Sequence, residues 1–146
     1  SRQEPSYLIE INLVSTCQVD DDCTVLLEVI KNSGLETFLQ EEGPLTLLAP
    51  TDAAFAQMEE AEVKALMNPE NTDAARTFIY RHLIPASLEE AQLLAEPQPI
   101  WEEGTVVFSK KDGTLTIDGI NVVRPAVPAS NGQVYFISEV LPDQAE

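Results

Sequence analysis

Histidine is almost missing from this chain. His82 is the only one, so chemistry that needs an imidazole would have to run through that residue. Nothing in the sequence sets a particular Ser, Cys or Asp beside it. The G-x-S-x-G elbow, the P-loop, the G-x-G-x-x-G turn and the H-E-x-x-H zinc helix are absent too. No catalytic, cofactor-binding or metal residue is therefore assigned, and acidic pairs carry no information among 25 carboxylates. Basic residues are scarce: 8 Lys and Arg leave a net charge of −17. Such a chain repels phosphate backbones and anionic lipid, which excludes nucleic acid and acidic membranes as partners. What remains for the acid excess is a solvated surface, weak calcium capture or attraction of a basic partner. Long apolar runs are also missing. None approaches the roughly 18 residues that span a bilayer, so direct membrane insertion by this domain is not expected. The chain starts at Ser1 without an initiator Met or a signal peptide. We expect a processed piece, with any export signal or anchor lying outside it.

Cysteine is limited to Cys17 and Cys23, which flank Gln18-Val19-Asp20-Asp21-Asp22. A close pair in an exported chain predicts one disulfide, with free thiols as the alternative. A second Cys pair is lacking and His82 is distant, so a metal site is not expected here. Asp20-Asp21-Asp22 offers oxygen ligands of the kind calcium takes. It lacks the alternating spacing and central glycine of an EF-hand loop, and it equally suits a solvated loop that caps a helix.

The N-terminal part reads as helical. Tyr7 to Val14 predicts a first helix. After the cysteine loop, Asp22 or Thr24 can cap a second, with Val25, Leu26, Val29 and Ile30 on one face and Gly34 as its left-handed stop. Leu35 to Gln40 and Glu60 to Met67 predict two more. A longer helix is expected from Thr72 or Asp73 to about Ile84, ended by Pro85. A capping box, Ser87 to Glu90, would open another. From Ile100 onward the pattern changes to strands, with a hairpin loop expected at Lys110-Lys111-Asp112-Gly113 and a two-residue turn at Asp118-Gly119. Helices first and strands later argue α+β with a mostly antiparallel sheet rather than a repeating βαβ wrap. One domain, 1–146 with its core at about 7–142, accommodates this order.

Two blocks say more than the rest. Leu45-Thr46-Leu47-Leu48-Ala49 is a continuous apolar run of strand length, suited to burial on both faces. Pro50 ends it, and Thr51 or Asp52 can cap a helix that carries Phe55. Some eighty residues later, Asn131-Gly132 suits a type I′ turn before the alternating strand Val134-Tyr135-Phe136-Ile137 and the Val140-Leu141-Pro142 close. In this order the blocks resemble the opening and closing motifs of the fasciclin (FAS1) domain, over roughly Tyr7 to Pro142.

That resemblance implies a β-wedge of two small, mostly antiparallel sheets packed with several helices. It also implies an extracellular, periplasmic or cell-surface adhesion module. Its partner would be a protein or glycan of the cell surface or matrix, or another copy of itself. The alternative is a secreted acidic module that binds calcium or a small ligand without catalysis. Many members of the family carry a Tyr-His pair implicated in integrin-dependent adhesion. By this likeness the candidate adhesion surface is Tyr80, Arg81, His82, Leu83 and Ile84. Aligned on His82, Arg81 stands where the family has tyrosine, and Tyr80 is displaced by one residue, about 100° on a helix. Read without the family, His82 is a structural histidine within the fold. Trp101 is either an exposed binding aromatic or the anchor of a core edge.

Overall fold

The computed structural model describes residues 11–102 and 104–142. The expected helix start at Tyr7 lies outside them. The first described helix, α1 (Leu13–Gln18), begins where Asn12 accepts the Ser15 N–H as its cap. Then come α2 (Thr24–Ser33), α3 (Glu36–Glu41), β1 (Leu45–Pro50), α4 (Asp52–Ala56), α5 (Glu60–Met67) and α6 (Thr72–Arg81). The remainder is β2 (Leu83–Ile84), α7 (Glu90–Ala95), β3 (Gln98–Pro99), β4 (Thr105–Val106), β5 (Phe108–Lys111), β6 (Thr114–Ile117), β7 (Ile120–Asn121), β8 (Val127–Ala129) and β9 (Gly132–Ile137).

All six residues of β1 are buried, and the topology says why. The largest sheet has the order β2-β1-β9-β8, so β1 lies inside it, parallel to β9 and antiparallel to β2. Because side chains alternate along a strand, this central pair divides the interior in two. Leu45, Leu47, Ala49, Val134 and Phe136 face a core built with α1 to α6. Leu48, Tyr135 and Ile137 face the other core, shared with α7 and the later strands. That second layer is itself split, into an antiparallel β3-β4 pair and a three-stranded sheet in the order β5-β6-β7. The α+β wedge of small, mostly antiparallel sheets expected from the sequence is present, with three sheets among the described residues where two are expected.

Several local expectations change. The helix predicted to reach Ile84 stops at Arg81, because Leu83 and Ile84 pair with Leu47 and Thr46 of β1. Burial in a ladder outweighs the helical pattern there. The capping box forms two residues later than predicted, from Glu89 to Gln92. Leu88, just before it, is tied to the central strands: its N–H donates to Thr46 Oγ1, and its C=O accepts from the Tyr135 hydroxyl. Helix α2 has no side-chain cap from its own flank. Its Val25 N–H donates instead to Asp52 at 2.8 Å, while Thr51 caps α4.

Asn131-Gly132 is not a type I′ turn. Neither residue has positive φ, and the turn between β8 and β9 is Ser130-Asn131. Gly132 is required for a different reason: a Cβ there would sit 1.8 Å from Leu45 O. Asn131 is a junction. Its Oδ1 accepts from Leu13 N–H, and its Nδ2 donates to the carbonyls of Leu39 and Glu42.

Candidate functional site

The segment Tyr80 to Ile84 divides between the interior and the surface. His82, Leu83 and Ile84 are buried, so they cannot touch a partner in this fold. Tyr80 and Arg81 are half-buried and reach the surface. A contact surface drawn from this segment reduces to those two residues.

His82 belongs to the interior. Its Nε2 accepts the Leu141 N–H at 3.0 Å. That bond fixes the proton on Nδ1, which donates to the Phe78 carbonyl at 2.9 Å. The ring also stacks on Phe78, with centroids 4.3 Å apart. Burial pushes its pKa from 6.5 down to about 3, and the neighbouring Arg81 charge adds to this. Both ring nitrogens are engaged by backbone groups. The histidine fastens the closing Val140-Leu141-Pro142 segment to α6.

Around Tyr80 the structure assembles what the sequence did not place together. Trp101 N–H donates to Leu83 C=O at 2.6 Å, and Glu102 N–H donates to Tyr80 C=O at 3.2 Å. These bonds strap the loop after β3 across the end of α6. Arg81 Nε donates to Glu102 Oε1 at 3.3 Å, a pair whose side chains are only 13% and 27% exposed. Trp101 lies nearly parallel to Tyr80, with centroids 5.9 Å apart, and meets Phe38 of α3 edge-on at 5.2 Å. Phe38 also meets Tyr80 edge-on. Phe38 and Tyr80 pack on the helical core, while Trp101 stays 42% exposed. Trp101 thus packs against two rings at the core edge and still faces solvent. Phe38 and Glu102 had no local signal, since their roles come from contacts across long sequence separations.

The acidic run is tied internally. Arg124 reaches Asp20 at 2.8 Å and Asp22 at 3.1 Å, with its guanidinium 4.0 Å above the Phe136 ring. Among the described residues, no group of three or more His, Cys, Asp or Glu is arranged to hold a metal ion. Cys17 and Cys23 are buried free thiols. The Cys17 contact and then burial push the Cys23 thiol pKa up. A cleft of about 800 Å³ lies beside α5 and α6, lined by Met58, Leu66, Phe78 and Leu141 with Arg81 at its side. Among the described residues no helix is long and apolar enough to cross a membrane.

A helical layer and a layer of short sheets, joined through one parallel strand pair and closed by an internal histidine, define an α+β wedge. The chain belongs to the fasciclin family: the Fasciclin domain model matches residues 21–143. It is 28% identical over 131 residues to Protein sll1483 of Synechocystis sp., covering 90% of this chain and 73% of that protein. It is also 28% identical over 138 residues to transforming growth factor-beta-induced protein ig-h3 of Sus scrofa. That match takes in 92% of this chain and 20% of the relative, so the chain spans one fifth of its length. Among solved structures, the FAS1 domain pair from the insect cell adhesion molecule Fasciclin I matches with a TM-score of 0.82 at 18% identity. The match covers 92% of this chain and 52% of that one and is a likeness of fold.

Proposed function

We propose that this domain is an adhesion module acting outside the cytoplasm, at a cell surface, in a periplasm or in a matrix, and that it catalyses no reaction. It binds a protein, a glycan or a second copy of itself through the face that carries Tyr80 and Arg81. The observation that carries this reading is the division of the Tyr80 to Ile84 segment. Its buried half, with His82, makes the scaffold, and its outer half stands beside an exposed tryptophan. Family membership and the adhesion role named for Fasciclin I support it, as an argument from fold. The whole chain, 1–146, acts as one domain. In an oxidising compartment Cys17 and Cys23 form a disulfide, which thiol titration of unreduced protein tests.

The test is a bead-clustering assay, run with beads bearing this domain alone and with beads bearing it beside mammalian or bacterial cells. Wild-type beads should cluster or attach. A Tyr80→Ala, Arg81→Ala double variant should do so weakly, with a melting temperature within a few degrees of wild type. Adhesion that the double variant keeps in full would sink the assigned face.

One observation favours a second reading, a small-ligand module: the cleft beside α5 and α6 has the size of a ligand site and combines apolar side chains with the polar Glu62, Asn71, Asp73 and Arg81. Calcium has less support, because Arg124 already pairs with two carboxylates of the acidic run. Clustering compared with calcium present and chelated separates the calcium reading from the first. Calorimetry with apolar carboxylic acids tests the cleft.

A further inference from the structure

We propose that the three-ring platform of Phe38, Tyr80 and Trp101 receives a lysine or arginine side chain of a partner protein. This rests on the adhesion reading and names the chemistry of its contact. Aromatic faces attract cations through the ring quadrupole, Trp most strongly. Three rings from α3, α6 and the loop after β3 converge here within 5.2 to 6.4 Å of one another. Their placement is preorganised. Backbone bonds hold Trp101 and Glu102 to Leu83 and Tyr80, and two of the rings are seated on the core. A contact residue already fixed in position loses little entropy when it binds, which favours a recognition role over a loosely held surface tryptophan.

Charge selects the partner. The chain carries −17 overall, and five described basic side chains, Lys64, Arg76, Arg81, Lys110 and Arg124, are each paired with the chain's own carboxylates. Arg81, the cation nearest the platform in sequence, is answered by Glu102. Exposed Glu41 lies three residues on from Phe38, one helical turn away on α3. The chain's acidic excess draws in a cationic side chain and repels an acidic one. Neutral sugars also stack on aromatic rings, but the charge excess gives them no advantage.

The probe is the Trp101 indole N–H cross-peak in a nitrogen–proton NMR spectrum, unique because the chain has one tryptophan. The ligand is a lysine-containing Gly-Ser peptide, compared with its Nε-acetylated form and with a neutral cello-oligosaccharide. The cationic peptide should shift the indole peak and the acetylated one should not. Tyr80→Leu, which keeps the net charge, should weaken binding roughly tenfold. Phe38→Leu serves the same purpose if Tyr80→Leu does not fold. An indole peak that the cationic peptide leaves in place overturns the proposal. So does undiminished affinity in the leucine variant, which would mean non-specific attraction, and so does a response to the sugar alone. Beads that cluster while the indole peak stays unmoved would overturn this inference and leave the adhesion reading standing.

Discussion

The two sides of the β1–β9 pair are held together in different ways. On the helical side, single polar side chains bind backbone groups far away in sequence. Asn131 joins α1 to the end of α3, Asp52 caps α2, and His82 fastens Leu141. On the strand side, β5, β6 and β7 follow one another through two-residue turns at Asp112-Gly113 and Asp118-Gly119, all four with positive φ. The helical side is thus a set of long-range ties and the β5–β7 sheet a set of local hairpins, while Thr46 and Tyr135 tie only the Leu88 segment to the central pair on that side. Helices joined by loops have no ladder to fix their mutual positions, so their unpaired end groups need partners from elsewhere. Hairpins carry their register in the turn itself.

The largest test of that contrast is Gly132→Ala. The new Cβ would collide with Leu45 O, a backbone atom of the central strand that cannot swing aside. We expect a loss of about 4 kcal/mol or more, or no folded protein, read by urea melts or soluble yield. A loss below about 1 kcal/mol would show that the central pair gives way more easily than the rest of the helical side requires.

Acid comes next, acting on His82. The folded pKa of about 3 lies below the ordinary 6.5, so between those values the unfolded chain binds the proton that the folded chain refuses. Stability from this residue is complete above pH 6.5 and is lost progressively as pH falls toward 3. The full span corresponds to about 4 to 5 kcal/mol as an upper figure, at 1.36 kcal/mol per pKa unit. Chemical melts of wild type and His82→Gln across this window isolate it from the many carboxylates. The wild-type curve should fall more steeply, and parallel curves would show that His82 does not sense the change.

Asn131→Ala should cost less, about 2 to 3 kcal/mol. It leaves Leu13 N–H and the carbonyls of Leu39 and Glu42 without their partner, and Glu42 is near water that can replace it. Hydrogen exchange should quicken in α1 and α3 and leave β5 to β7 unchanged. Equal quickening on both sides would erase the distinction between ties and hairpins.

The same distinction separates what was legible in the sequence from what was not. Strand β1, ending at Pro50, the helix at Phe55 and the Asp118-Gly119 turn depend on neighbours within a few residues and match the expectation. Lys110 and Lys111, expected in a loop with Asp112-Gly113, belong instead to β5 and leave a two-residue turn. The Thr72 helix was read three residues too long, because Leu83 and Ile84 are committed by pairing with β1, about 36 to 38 residues away in sequence. Asn131-Gly132 was found but given the wrong task. A turn pattern and a close backbone approach select the same glycine, and only the position of Leu45 tells them apart. The functional segment shows the same limit. Helical spacing placed Tyr80 and His82 on one element, yet the burial of His82 and the meeting of Trp101 with Phe38 depend on Leu141 and on α3.

The smallest effect makes the comparison sharpest, because it repeats the first substitution on the other side. Gly113 has φ +83, and a Cβ there meets nothing within 4 Å. Gly113→Ala therefore costs only the left-handed backbone strain of a residue with a side chain, about 1 kcal/mol. Gly132 has no such backbone requirement and no room. A pair of Gly→Ala variants in one chain would thus separate conformational strain from steric exclusion. We expect a drop of a few degrees in melting temperature for Gly113→Ala, and Gly113→Asn should recover part of it, since asparagine tolerates this region. Recovery at 113 and none in Gly132→Asn would confirm that the strand side is governed by local turn geometry and the central pair by contact across the sheet. Recovery at both positions would mean that one backbone rule governs both glycines, and the comparison would fail.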